Sequence, residues 1–317
     1  MGNLKVNGLI FKELIKRGYS LEGNTRVWNI ADSKLWYLTP EQAKAYLAAE
    51  DSEVYKRVMV DNEIDLLKET MPGIMKKLNF GEEITIVDVG CGDGKKAIVP
   101  INVLKEKHKI RYCPIDISSY MVQEAIKNIS KLNVVDEVID FHWNVSDFEN
   151  LENVTELLRQ GNKDLFILFL GSTLGNFDTH DLLYAFQNSM SSGDNLLMGV
   201  SLDEHAKPDK IAASYINPEA DNFMSHVLLE LGFKKEEMSF GARYRNGRVE
   251  CFYTISVDKT IKFQEREIIF NNGDQIIVSY SNKYNHKELD RIIELYFDNY
   301  TFYTNKKKDW ALILCRK

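Results

Sequence analysis

The glycine-rich segment at residues 88–94, with the sequence DVGCGDG, is the part of the chain whose residue types most clearly suggest chemistry. It follows a β-branched run, and glycines at the end of a strand let the backbone approach a ligand that a Cβ atom would exclude. Acidic residues end the next two strand-like runs: Asp116, 22 residues after Gly94, and Asp147, which precedes Phe148. Asp116 could accept both ribose hydroxyls of a nucleoside. Asp147 could bind the amino group of adenine while Phe148 contacts its ring, although Asp147 could also be a helix cap.

The glycine pattern narrows the choice of nucleoside. The nicotinamide fingerprint is G-x-G-x-x-G, and after Gly90 and Gly92 the third glycine position holds Lys95. The phosphate-binding pattern G-x-x-x-x-G-K-[ST] is absent as well. Asp88, which enters the turn ahead of Gly94, would repel a pyrophosphate but is compatible with a cationic sulfonium and an α-amino group.

The turn and the two acidic strand ends, in this order, resemble the class I S-adenosylmethionine-dependent methyltransferases. The resemblance implies S-adenosyl-L-methionine as cofactor and S-adenosyl-L-homocysteine as product. Another nucleotide, or a vestigial site, is the alternative.

The elements that must position these residues alternate along the middle of the chain. Alternating strands and helices of this length predict an α/β fold with a doubly wound, mostly parallel sheet. The pattern predicts strands at 84–89, 110–116, 138–143, 165–170 and 195–200, with helices at 61–71, 95–107, 118–132 and 179–192.

The alternation is lost after about residue 201. The pattern there predicts one helix at 211–231 and antiparallel strands at 248–253, 262–269 and 274–280, with a tight turn at 271–273. A helix at 288–297 and a strand at 310–314 are expected to return to the main sheet. We therefore expect a cofactor-binding domain of residues 61–200 plus 286–317. A smaller α+β substrate-binding domain would comprise residues 1–60 plus 201–285.

The loop after the fourth predicted strand, residues 169–177 with the sequence FLGSTLGNF, suggests the kind of acceptor. It lacks the Asn-Pro-Pro-Tyr type motif of nucleic-acid amino-methyltransferases and has no cysteine nucleophile. It resembles the loop of the ergothioneine-pathway histidine Nα-methyltransferases and of their fungal relatives that act on dimethylallyltryptophan. The resemblance implies N-methylation of an amino acid or a related small amine.

The same resemblance implies roles for individual residues. Asn176 and Tyr215 would be the catalytic residues, because they would hold the α-amino and carboxylate groups of the acceptor. Lys96 matches a lysine after the glycine turn and would bind the cofactor, as would Gly171, which also shapes the substrate wall. Plainer interpretations remain, with Asn176 as a turn former and Tyr215 as a packing residue. Three aromatic residues are implied to help close the pocket: Trp28, Trp36 and Tyr55. Trp28 and Trp36 could instead be core or interface residues.

One position departs from the family pattern in an informative way. Residues 273–284 resemble the family segment G-E…E-x-S-x-K-[FY], in which the second glutamate meets the imidazole of histidine. Here Ser279 replaces that glutamate, whereas Ser281 keeps the family serine. Losing one charge-assisted hydrogen bond costs roughly 1.5–3 kcal/mol, so another amino acid or an aromatic amine becomes a candidate acceptor. If both serines simply face water, the position carries no information about the acceptor.

Composition excludes several other classes. The chain has 317 residues, which allows one large domain or two average ones of ~150 residues each. Its net charge of −7 disfavours binding to a phosphate backbone, so we expect no nucleic-acid partner. There is no apolar run of ~20 residues and no secretory signal, which predicts a cytoplasmic protein without membrane contact. Four scattered cysteines and six histidines without metal spacing predict no metal site and no disulfides.

We expect a monomer or a weak dimer. Two other functions stay open: methylation of a different small molecule or of a protein side chain, and a non-catalytic sensor of S-adenosylmethionine.

Overall fold

The chain divides into two units in the computed structural model, which describes residues 6–159, 164–204 and 207–317, apart from the side chains at positions 54, 58 and 149. The larger unit comprises Glu53–Glu204 and Tyr284–Lys317, and the smaller unit comprises Met1–Ser52 and His205–Lys283. The assignment of cofactor binding to one unit and substrate binding to the other stays a prediction.

The strands, in chain order, are β1 Tyr19–Glu22, β2 Thr25–Asn29, β3 Glu83–Val89, β4 Lys109–Ile115, β5 Glu137–Val138, β6 Leu165–Phe169, β7 Asn195–Ser201, β8 Met238–Arg245, β9 Arg248–Ile255, β10 Lys259–Phe263, β11 Arg266–Phe270, β12 Gln275–Asn282, β13 Asn299–Thr304 and β14 Trp310–Arg316. The α-helices are α1 Gly8–Arg17, α2 Pro40–Glu50, α3 Glu53–Tyr55, α4 Asn62–Met75, α5 Ile98–Leu104, α6 Ser119–Leu132, α7 Leu151–Leu158, α8 Thr179–Ser189, α9 Pro208–Ser214, α10 Pro218–Leu229 and α11 His286–Glu294. A π-helical stretch, Lys56–Asp61, precedes α4.

The larger unit is built on a seven-stranded sheet in the order β13-β14-β7-β6-β3-β4-β5. The five strands from β7 to β5 are parallel, while β14 runs antiparallel to β7 and β13 antiparallel to β14. Alternate residues of β3 face opposite sides: Val87 packs with α7, α8 and α11, and Ile86 packs with α4 and α5. The predicted doubly wound, mostly parallel α/β fold is therefore confirmed. All five residues of β6 are buried, as expected for a strand covered on both faces.

The third predicted strand, at residues 138–143, is wrong beyond its first residue. In this region the strand that pairs with β4 is β5, which ends at Val138. The chain then turns in a short 3-10 segment that ends at Asn144. The Asn144 side-chain amide donates to the carbonyl oxygens of Pro114 at 2.6 Å and of Ile139 at 3.1 Å. These two bonds hold the chain in a turn where an extended strand was predicted.

The helix after the glycine turn is shorter than the predicted 95–107, since residues before Ile98 form tight turns. The Gly94 N–H, for example, donates to the Cys91 carbonyl oxygen at 2.9 Å. The helix at α6 agrees closely with its prediction, because Ser118 caps it by accepting the Met121 N–H.

The smaller unit contains a five-stranded sheet in the order β1-β2-β12-β9-β8 and a separate hairpin of β10 and β11. The helix predicted at 211–231 is two helices, α9 and α10. Asn217 begins α10 by accepting the Ala220 N–H at 2.8 Å, and Pro218 stands in its first turn.

The strand predicted at 262–269 is also wrong as a single element. It is the hairpin of β10 and β11, which turns at Gln264 with a φ of +55°. The predicted turn at 271–273 leads from β11 to β12, but these two strands do not pair. Instead β12 lies between β2, to which it is parallel, and β9, to which it is antiparallel.

Candidate active site

The glycine turn follows β3 and leaves one side of its backbone open. Gly90, Gly92 and Gly94 have φ values of +67°, +52° and +78°, a region that L side chains rarely adopt. A Cβ atom on Gly94 would lie 3.2 Å from Ala125 and from the Tyr112 hydroxyl oxygen, whereas one on Gly92 would meet nothing within 4 Å. Gly94 is thus required by packing against the fold, and Gly92 borders open space in which a ligand could approach the backbone.

Asp88, the last-but-one residue of β3, lies beneath this turn. Its side chain is buried, and it accepts a hydrogen bond from the Tyr112 hydroxyl at 2.7 Å. Burial raises the pKa of Asp88 to about 7, although the Tyr112 hydrogen bond and the charge of Lys96 oppose the rise. Asp88 is therefore held by Tyr112, whose hydroxyl also lies beside Gly94 of the turn, and the direct contact of Asp88 with a cofactor stays a prediction.

Asp116 stands at the end of β4 and is joined to the glycine turn. The Gly92 N–H donates to its Oδ2 at 3.2 Å, and the Ser118 N–H donates to its Oδ1 at 2.9 Å. Burial raises the pKa of Asp116 to about 6, while these backbone donors lower it. A carboxylate has about four acceptor sites, so Asp116 retains capacity for the hydroxyls of a ribose.

Asp147 and Phe148 lie near the same edge of the sheet, because Val145 forms an isolated parallel bridge with Asp116. Both side chains are half-buried. The Phe148 ring packs edge-on against Phe177, with centroids 4.7 Å apart. Phe148 thus connects this segment to the loop after β6, and the predicted adenine contacts of the pair stay predictions.

The loop after β6 begins with two residues of positive φ, Gly171 at +83° and Ser172 at +57°. The Ser172 hydroxyl lies 2.9 Å from that of Ser201, and its N–H donates to the Gly199 carbonyl oxygen at 3.1 Å. The 3-10 turn that follows ends at Asn176, whose side chain is half-buried.

This loop neighbours the glycine turn, since β6 and β3 are adjacent parallel strands. A Cβ atom on Gly90 would lie 3.9 Å from Thr173 Cγ2. The structure therefore brings the predicted cofactor turn and the predicted acceptor loop together at one edge of the sheet.

Glu63, in the first turn of α4, is a site residue that sequence reasoning missed. Its carboxylate is buried and accepts the Gly171 N–H through both oxygens, at 2.8 and 3.0 Å. The Lys96 ammonium lies 3.4 Å from its Oε2. The one sequence signal was Gly199, because a glycine inside a buried strand indicates that another group approaches the backbone closely. That group is Glu63, whose Oε1 would lie 1.8 Å from a Cβ atom on Gly199.

Two of the predicted acceptor residues in the smaller unit lie on one face of its sheet. Ser279 of β12 is opposite Cys251 of β9, and Ser281 is opposite Val249. Ser279 is only 3% exposed, whereas Ser281 is half-buried. Tyr215, which directly follows α9, packs against the cluster that contains Val249 and Cys251. These three predicted residues therefore lie near one another.

A cation lies beside them. The Lys283 ammonium is 5.0 Å from the centroid of the Tyr215 ring. Burial raises the pKa of the Cys251 thiol to about 12, and a hydrogen bond from Ser279 and the Lys283 charge oppose this rise.

The predicted pocket-closing aromatics have different surroundings. Trp28 and Trp36 lie in the core of the smaller unit, 6% and 4% exposed. The Trp28 indole donates to Asp274 Oδ2 at 3.3 Å, and the Trp36 indole donates to the Val278 carbonyl oxygen at 2.9 Å. This arrangement fits the interpretation of Trp28 and Trp36 as core residues, and their role at a pocket stays a prediction. Tyr55 belongs to the larger unit, where it ends α3 and is half-buried.

Two absences hold for residues 6–159, 164–204 and 207–317, the part of the chain that the structure describes. No helix there is both long and apolar enough to cross a bilayer. Within the same ranges, no three His, Cys, Asp or Glu side chains are grouped so that they could hold a metal ion.

Comparisons with known proteins show which sequences this chain is similar to. The sequence model of a family described as histidine-specific methyltransferase, SAM-dependent, matches residues 53–317. L-tryptophan methyltransferase trpM of Psilocybe serbica is 30% identical over an alignment of 155 residues, and the match covers 44% of this chain and 43% of that protein. The match thus spans less than half the length of this curated relative.

Similar solved structures are distant in sequence. The PH0226 protein of Pyrococcus horikoshii OT3 has a TM-score of 0.43 at 10% identity, over 88% of this chain and 99% of that chain. DhpI in complex with SAH has a TM-score of 0.36 at 10% identity, over 88% of this chain and 98% of that chain.

Proposed function

Because the chain belongs to the family of histidine-specific, SAM-dependent methyltransferases, we propose that it methylates the α-amino group of an amino acid or a related small amine. The chain is a methyltransferase whose methyl donor is S-adenosylmethionine and whose cofactor product is S-adenosylhomocysteine. The observation that carries the choice of acceptor is the Asn176 loop, which lies beside the glycine turn at the ends of two adjacent strands.

The residues around the turn fit S-adenosylmethionine. Gly92 borders open space for a ligand beside the backbone, and Asp116 retains acceptor sites for ribose hydroxyls. We assign Lys96 to the α-carboxylate, and Asp147 with Phe148 to the adenine. The bound cofactor supplies an electrophilic methyl group on a positively charged sulfur.

The chain's own contribution is mainly to position the amine. The acceptor nitrogen must be neutral when it forms its bond to the methyl carbon as the carbon–sulfur bond breaks, and the product ammonium then loses its proton to solvent. We assign Asn176 to the orientation of this nitrogen, since its amide both donates and accepts hydrogen bonds. Correct orientation of two reactants can lower the activation free energy by ~7–11 kcal/mol.

We further propose that the acceptor side chain is uncharged, with tryptophan a better candidate than histidine. Ser279 offers only a neutral hydroxyl, which cannot favour a basic ring as a carboxylate can. The relative that is 30% identical over 155 residues is named as an L-tryptophan methyltransferase. We assign Tyr215, Ser279 and Ser281 to the choice of acceptor.

The decisive experiment offers the purified chain S-adenosylmethionine with a pool of all proteinogenic amino acids and common biogenic amines. Mass spectrometry should detect an N-methylated product, with methylated tryptophan the main one. Calorimetry should detect binding of the cofactor. Cofactor binding without any methylated product would refute amino-acid methylation and favour a sensor, or an acceptor outside the pool such as a protein side chain.

A further inference from the structure

Glu63 is a buried carboxylate that the proposed chemistry does not use. Its residue has 0% exposure, and an isolated ionised carboxylate is very unfavourable in such surroundings unless it is paired and hydrogen-bonded. This unfavourable burial indicates that the Glu63 carboxylate is held in place by its contacts.

The contacts of Glu63 join two segments that the proposed function treats separately. On the cofactor side it meets the ammonium of Lys96, whose side chain is only 17% exposed. On the acceptor side both of its oxygens accept the Gly171 N–H, at the first residue of the loop that ends in Asn176. An added Cβ on Gly171 would itself lie 3.0 Å from Lys96 Nζ, so the carboxylate, the ammonium and the loop meet at one point.

The backbone of β7 leaves room for this arrangement. A Cβ atom at Gly199 would lie 1.8 Å from Glu63 Oε1 and 2.9 Å from its carboxyl carbon, so any larger residue would displace the carboxylate. Gly199 also fixes the same loop directly, because its carbonyl oxygen accepts the Ser172 N–H at 3.1 Å.

We propose that Glu63 is a positioning residue that holds the Lys96 ammonium ready for the cofactor's α-carboxylate and fixes the start of the acceptor loop with the same carboxylate. The inference rests on the proposed role of Lys96 at the cofactor. An ammonium has three donors, so an ion pair with Glu63 can orient Lys96 and does not by itself occupy all three. Glu63 itself touches neither reactant and acts through Lys96 and Gly171.

The test is a double-mutant cycle of Glu63→Gln and Lys96→Met, read as the dissociation constant of S-adenosylhomocysteine by calorimetry. Glu63→Gln keeps the size of the side chain but removes its charge. It should weaken binding roughly 10-fold, as expected when a charge-assisted hydrogen bond is lost. Once Lys96 is methionine, the same change should have little further effect.

Additive effects in the cycle, or an unchanged dissociation constant in Glu63→Gln, would overturn the proposal. A merely structural Glu63 would lower the melting temperature without making its effect on binding depend on Lys96. The acceptor plays no part in this measurement, so a wild-type chain that binds S-adenosylhomocysteine but methylates nothing would refute the proposed function and leave the cycle valid.

Gly199→Ala provides a second variant if Glu63→Gln does not fold. It keeps both charged residues but moves the carboxylate, and it should weaken binding in the same direction. Gly73→Ala is the matched control, because Gly73 lies on the same helix as Glu63 and an added Cβ there meets nothing within 4 Å. Equal binding by the two alanine variants would count against the role of Glu63.

Discussion

Gly92 and Gly94 of the turn should respond differently to substitution by alanine. Alanine at either Gly92 or Gly94 must adopt a positive φ, which costs about 1–2 kcal/mol. At Gly94 the added Cβ also lies 3.2 Å from Ala125 and from the Tyr112 hydroxyl oxygen, so overpacking adds about 1–3 kcal/mol. At Gly92 it meets no protein atom within 4 Å and extends into the space assigned to the cofactor.

Gly94→Ala should therefore lose about 1–3 kcal/mol more free energy of unfolding than Gly92→Ala in urea titrations. Gly92→Ala should lose cofactor affinity by more than its small loss of stability suggests, as measured by calorimetry with S-adenosylhomocysteine. Equal destabilisation of the two variants would contradict the packing argument. Full cofactor affinity in Gly92→Ala would show that the ligand does not approach this side of the turn.

Four further predictions follow from the described contacts. Asn176→Ala should keep cofactor affinity but lower kcat about 100-fold, since misplacement of a reactant by ~1 Å can cost that much; unchanged turnover would move the acceptor elsewhere. Ser279→Glu should raise activity towards histidine relative to tryptophan, and an unchanged ratio would refute our assignment of that position. Trp36→Phe removes the donor to the Val278 carbonyl oxygen and should cost about 1–3 kcal/mol of stability without changing cofactor affinity, which thermal melts and calorimetry would check. Because the pKa of Asp116 is raised to about 6, its charged form is lost below that pH, and cofactor affinity should fall from pH 7 to pH 5. The ligand-free fold should instead gain stability from Asp116 over the same range, as the carboxylate binds its proton. Affinity that stays constant from pH 7 to pH 5 would exclude Asp116 as the ribose acceptor.

The central strands of the larger unit could be predicted because the residues that form them are buried on both faces. Residues 84–89 and 165–170 are short β-branched or apolar runs with clear ends, and the structure has strands there within one residue. The start of the helix predicted at 118–132 could be predicted as well, because serine is a residue type that caps helices, and the Ser118 side chain accepts the Met121 N–H. The half-exposed strands β1, β8 and β13 gave no comparable pattern.

The missing parts of the site depend on contacts between distant segments. Glu63 and Gly171 are 108 positions apart, so nothing local marks Glu63 as a partner of the loop. The turn at Asn144 arises likewise from a side-chain bond to Pro114, 30 positions earlier, which overrides the extended pattern around it. Sequence motifs identify single residues at the ends of strands. The side chains that hold those residues in place come from segments far along the chain, and no motif marks them.

The surroundings of Ser279 bear on why a carboxylate is absent there. Its cross-strand partner is Cys251, a buried thiol, and the next residue across the sheet from Cys251 is Ala242, so both neighbours are uncharged. A positive charge acts on Cys251: Lys283 opposes the rise that burial causes in the thiol pKa. A positively charged imidazole would therefore meet no carboxylate among these residues and a cation nearby, and its desolvation would be uncompensated. A neutral aromatic side chain meets no such penalty. These surroundings support our proposal that the chain prefers tryptophan to histidine, and we expect a glutamate at position 279 to reverse that preference.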